Sequence, residues 1–243
     1  MDTVPLSFFE AVCAGLCITT LPAGAKLSGY CGKTVRSTLA NKALYYCDVK
    51  DGVEGSQYLK YVSSGREVRT PEEIEAVPKK FVQDLLIHWD GKKENVSREI
   101  LKRFPYSRHQ FWIHSSSINE AWVDFARSLN RVSVGIILKL DDNAIPLLQK
   151  LVDSRKLLWL PIYEEACEGA IMEVLKSLLC QEQFTCLYVR RFSAGPWNSV
   201  VVLELLKFWA ENSEQLRGTK LTVGGHCEDG VQQLEKFILE RAG

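Results

Sequence analysis

From residue 81 to residue 243 the chain repeats one pattern: a short apolar segment, a polar turn, then an amphipathic helix. This repetition constrains the fold more than any other feature. The spacing predicts strands at 84–89, 110–115, 134–140, 157–162, 185–190 and 220–224. Helices are expected at 97–104, 118–129, 144–154, 169–179, 197–213 and 230–241. With Ile87, Ile113, Leu138, Leu160, Val189 and Val223 as equivalent anchors, the units recur every 22 to 34 residues. Strand–helix units in series imply parallel strands, because each helix supplies the crossover that a parallel pair needs.

Such units build either a doubly wound sheet or a one-sided array. In the first, helices cover both faces and strands read as continuous apolar runs. In the second, one face is bare and strands alternate. Here they alternate. Phe111 and Ile113 are expected inward, with Trp112 and His114 outward. Ile136, Leu138, Leu158, Leu160, Leu187, Val189, Leu221 and Val223 follow inward; Ile137, Lys139, Trp159, Tyr188, Arg190 and Thr222 follow outward. The pattern favours an α/β protein with a single-sided parallel βα array, although Ile137 and Leu85-Leu86-Ile87 place apolar residues on both faces.

Residues 1–47 read differently, as a small helical cluster. Pro5 suits a first helical turn. Phe8, Phe9, Val12, Cys13, Leu16 and Cys17 recur at helical spacing and predict one buried face. Leu21-Pro22 and Gly24 break the helix, and Val35, Leu39 and Ala43 mark a later one. Residues 48–80 form a connector before the array at 81–243. It holds an Asp51-Gly52 turn, a short strand near 57–62 and a helix start at Thr70-Pro71-Glu72-Glu73, with Thr70 as N-cap.

Thirty basic and thirty acidic residues balance, so no whole-protein field points to nucleic acid or an anionic membrane. No apolar run has the length of a membrane span, and the apolar stretch 6–18 lacks a basic flank, so it does not read as a secretory signal. Eight cysteines without a Cys-x-x-Cys pair read as reduced thiols of a cytoplasmic or nuclear protein.

Val4-Pro5, Phe9, Val12, Leu16 and Leu27 resemble a degenerate F-box, and the following units resemble a leucine-rich-repeat-like horseshoe. The opening Met1-Asp2-Thr3-Val4-Pro5 and the stretch Lys26-Leu27-Ser28-Gly29-Tyr30 are similar to openings in expanded nematode families of F-box-like proteins. The resemblance implies a substrate adaptor of a cullin-type ubiquitin ligase. Pro5, Leu6, Phe9, Val12 and Leu16 would then dock a Skp-type adaptor, and the array would hold a target protein. The alternative is that these residues only pack internally, against Val35, Leu39 and the first βα unit.

Catalytic and metal motifs are not apparent. Gly32-Lys33-Thr34 lacks the earlier glycine of a phosphate-binding loop, since Leu27 occupies that position. His88, His109, His114 and His226 lack zinc spacing. No cofactor or metal is therefore expected. His226-Cys227 follows the last strand, where an α/β enzyme would place its chemistry. His88 and His114 are expected on adjacent outward positions. The outward set Trp112, His114, Lys139, Trp159, Tyr188 and Arg190 is rich in the residue types of interface hot spots. A protein-interaction module is the leading expectation; an α/β enzyme or a structural repeat protein without catalysis are the alternatives.

Overall fold

The computed structural model describes residues 4–15, 20–90, 95–192, 199–225 and 230–242. Among them the protein is α/β, with ten helices and one mostly parallel nine-stranded sheet. The chain divides into two compact units: Met1–Val49, Val53–Ile87 and Asn95–His109 in the first, and Lys50–Gly52, His88–Glu94 and Gln110–Gly243 in the second.

The first unit opens with helices α1 (Leu6–Gly15), α2 (Leu21–Gly24) and α3 (Gly29–Asn41). Buried Cys13, Leu21 and Val35 form their core, with Ala25, Cys31 and Leu39 packed against it. The expected buried face of α1 is only partly buried. Cys13 is 2% exposed and Phe9 is half-buried, but Phe8 is 56% and Val12 44% exposed. The core is too small to cover more of the helix, and Leu16 and Cys17 lie outside the described residues. Gly29 and Gly32 both belong to α3. Gly32 belongs inside it because a Cβ there would come 1.8 Å from the Leu27 carbonyl oxygen.

Strand β1 (Ala43–Lys50) begins where the sequence suggested the end of a helix. Ala43, Tyr45, Cys47 and Val49 are all buried, which is the period-two signature of a strand. Asp51 and Gly52, both at positive φ, turn the chain into β2 (Val53–Tyr61), which pairs antiparallel with β3 (Glu67–Val68). The expected short strand near 57–62 is thus the end of a longer one. Helix α4 (Pro71–Ala76) starts as its sequence predicts: the Thr70 hydroxyl accepts a hydrogen bond from the Glu73 N–H at 3.3 Å. Strand β4 (Val82–Trp89) and helix α5 (Asn95–Arg103) follow.

In the second unit strands and helices alternate: β5 (Arg108–Ile113), α6 (Glu120–Ser128), β6 (Val132–Ile136), α7 (Ala144–Asp153), β7 (Leu157–Tyr163), α8 (Ile171–Leu179), β8 (Cys186–Arg191), α9 (Val200–Glu211), β9 (Lys220–Gly225) and α10 (Gly230–Ala242). The sheet order is β3-β2-β1-β4-β5-β6-β7-β8-β9, so the later strands lie in chain order. The pairs β6–β7, β7–β8 and β8–β9 are parallel. Right-handed crossovers between strands laid down in order leave the intervening helices on one face. Accordingly α6 packs on α7 and α7 on α8.

That face holds the core. Phe111 packs edge-on against Trp122 and Phe125 of α6, and Trp89 stacks on Trp122 at 4.9 Å. Leu160, Ile162, Leu187 and Val189 are each fully buried. Each such aliphatic side chain contributes about 1.5–3 kcal/mol of transfer free energy.

Two strands depart from the expected register. Strand β6 ends at Ile136, not Leu140, and Leu138 is 48% exposed instead of inward. Beyond Ile136 the chain is drawn into the α7 start, where Asp141 accepts from the Ala144 N–H at 2.8 Å. In β7 a bulge intervenes: Val132 pairs with Leu157, but Ser133 pairs with Trp159. Leu157, not Leu158, is therefore inward beside Leu160, and Leu158 is half-buried. The bulge restores the expected outward direction of Trp159.

Candidate interaction face

The face of the second unit opposite the helices carries an aromatic band. Its foundation is the register of the parallel strands. Trp159 lies beside Cys186, Pro161 beside Tyr188, and Tyr163 beside Arg190; Tyr188 lies beside Thr222 and Arg190 beside Gly224. Alternation places all of these on one side. Trp159 and Tyr188 stack with centroids 6.5 Å apart, and Tyr163 and Phe192 stack at 3.9 Å. The Arg190 guanidinium sits over both tyrosines, 5.4 Å from the Tyr163 ring and 5.7 Å from that of Tyr188.

Glycines make room for these rings. A Cβ at Gly224 would meet the Tyr188 hydroxyl at 2.2 Å, and one at Gly135 would meet the Trp112 ring at 2.7 Å and the Pro161 ring at 3.1 Å. Tyr188 and Trp112 therefore lie flat across the neighbouring strand. A glycine inside a strand is the sequence sign of such a close approach.

At the other end of the band His88 Nδ1 and His114 Nε2 are 2.5 Å apart, and His88 stacks on Trp112 with centroids at 6.1 Å. The expected adjacency of the two histidines is present. Among the described residues no group of three or more metal-ligating side chains accompanies them.

The structure places the expected outward residues unequally. His114 is exposed, while Trp159, Tyr188 and Arg190 are half-buried within the band. Trp112 points to this face but is only 9% exposed, because His88, Gly135 and Pro161 surround it. Lys139 is not on the sheet at all. It follows the end of β6 and pairs with Glu168 at 2.8 Å. Tyr163, Phe192 and Pro161 join the band without having been expected there. Arg190 carries a further feature: its Nε is buried with no hydrogen-bond partner. A buried donor left unpaired is costly, which is why such groups are rare.

The described N-terminal candidates lie in the first unit. Pro5 is exposed, Leu6 is 56% and Val12 44% exposed, Phe9 is half-buried, and Leu16 falls outside the described residues.

A concavity of about 670 Å³ lies where β7 and β8 end, lined by Glu164, Glu165, Cys167, Glu168, Arg191 and Glu204 among others. This is where a parallel sheet places catalytic groups. Three of these carboxylates are engaged: Glu168 with Lys139, Glu204 with Lys176, and Glu164 with Arg191 at 3.9 Å. The hydrogen bond from Lys139 holds the Glu168 carboxyl below the usual range. Burial, and then Glu164 and Glu165, push the Cys167 thiol up to about 12, so it is not a thiolate nucleophile near neutral pH. His226-Cys227 lies outside the described residues. No helix among the described residues is long and apolar enough to cross a membrane.

No protein-family model, curated protein or solved structure matches the chain.

Proposed function

We propose that this protein is a protein-interaction module that serves as a substrate adaptor of a cullin-type ubiquitin ligase. In this reading the βα units act as a leucine-rich-repeat-like array, and the aromatic band holds the target. Pro5, Leu6, Phe9, Val12 and Leu16, at and around α1, dock a Skp-type adaptor. The observation that carries the reading is Arg190: a guanidinium held over two tyrosines, with one buried donor still unpaired. Arginine and tyrosine so arranged are the residue types that concentrate binding energy at protein interfaces. The exposure of Phe8 and Val12, four residues apart on α1, supports adaptor docking, since apolar helix surface that its own core leaves uncovered favours a partner.

The test is a binding assay with a purified Skp-type adaptor and the full chain. Capture by the intact protein and its loss in a Leu6→Glu/Val12→Glu variant that keeps its melting temperature are the expected results. Failure of the intact protein to bind the adaptor ends the ligase reading.

A further inference from the structure

In the first unit a cleft of about 450 Å³ opens between α1, α3 and the start of β4. Leu6, Tyr30, Phe81 and Tyr106 contribute its walls, and Lys33 stands on its rim. Three of the four wall residues are exposed: Tyr106 70%, Tyr30 68% and Leu6 56%. Size and lining match small-molecule sites, which are mostly apolar with a few placed polar groups.

The polar group here is Gln83. It sits on the same side of β4 as Leu85, Ile87 and Trp89, all fully buried, so it interrupts an otherwise apolar row. It lines the cleft and is only 5% exposed, yet its Oε1 has no hydrogen-bond partner. The Thr34 hydroxyl on the cleft wall is spent elsewhere: it donates to the Tyr30 carbonyl at 2.9 Å. A buried amide oxygen without a donor, at an opening lined by aromatic rings, is an acceptor in want of a ligand.

We infer that this cleft binds a small aromatic molecule whose N–H or O–H group donates to Gln83 Oε1. The inference does not rest on the adaptor reading: Leu6 borders both the cleft and the proposed docking residues of α1, but the Gln83 acceptor that the probes read belongs to β4.

The test uses a matched pair of probes, 2-naphthol and 2-methoxynaphthalene, which share ring and shape but differ in the hydrogen-bond donor. Binding to the full chain is followed by ligand-observed NMR titration. The naphthol is expected to bind about tenfold more tightly than its ether, the value of one hydrogen bond to a buried acceptor. In a Gln83→Met variant the two should bind alike. Tyr106→Glu, a change at an exposed wall residue that leaves the core untouched, should weaken both and serves where Gln83→Met fails to fold. Equal binding of the two probes to the unaltered protein, no binding of either, or a preference that persists in Gln83→Met overturns the inference.

Discussion

Gly135 lies so close beneath the Trp112 indole that a Cβ at residue 135 would come within 2.7 Å of the ring. The contact is with a large ring, and the Pro161 ring lies 3.1 Å from the same point, so neither neighbour is the free end of a flexible chain. Gly135→Ala should therefore destabilise the protein by about 1–3 kcal/mol, the usual cost of overpacking. Urea denaturation of the variant measures it. Adding Trp112→Leu should recover part of the loss, whereas an undiminished loss in the double variant would place the strain elsewhere.

Gln83 gives the opposite sign. Replacing it with methionine removes a buried acceptor that has no donor and keeps nearly the same volume. The expected change is a gain of about 1 kcal/mol in stability, read from the denaturation midpoint. A loss of similar size would mean that the amide makes an interaction in solution that offsets its burial.

Helix starts supply a third measurement. Asn119 accepts from the Trp122 N–H at 2.8 Å, and Thr70 accepts from the Glu73 N–H at 3.3 Å. Asn119→Ala and Thr70→Ala should each cost about 1 kcal/mol, and the shorter Asn119 bond should cost more. The two helices belong to different compact units, so the costs should add in the double variant.

Alkaline pH should weaken the fold. Burial raises the Cys167 thiol from 9.0 to about 12 and, with Asp48 adding to it, the Tyr46 phenol from 10.0 to about 12. Both groups are neutral when folded and ionise more readily when unfolded. Their contribution is complete below pH ~9 and is lost as pH rises toward the folded values. Near pH ~10.5 the Cys167 share of the loss should be about 2 kcal/mol. Urea midpoints at neutral and alkaline pH test this, and Cys167→Ala should flatten the dependence. A midpoint unchanged between pH ~9 and ~11 would contradict it.

The βα units were legible because their period is unambiguous. Phe111, Ile113, Leu187 and Val189 alternate with polar or aromatic partners, and all four are fully buried. The Thr70 cap was equally plain, since Thr-Pro-Glu-Glu states a helix start in its chemistry. Strand β1 was hidden because Leu44 and Tyr46 on its other side are also apolar or aromatic, which blurs the alternation. The register of β7 was hidden for another reason. A bulge is a matter of pairing with β6, and nothing within Leu157-Leu158-Trp159 announces it. Lys139 was misplaced because the end of β6 is set by how the chain enters α7, not by its own composition. In the candidate face, the tryptophans and Arg190 could be read from residue type. The role of Gly135 and Gly224 as beds for neighbouring rings required the strands to be side by side.

The extra residue at Leu158 has an effect out of proportion to its chemistry. It shifts the parity of the remainder of β7, so that Trp159, Pro161 and Tyr163 lie on the sheet face opposite the helices. Deleting one leucine would exchange the two sides of that strand, hiding its rings and displaying Leu160 and Ile162. What this protein presents to the outside thus depends on a count of residues as much as on their identity.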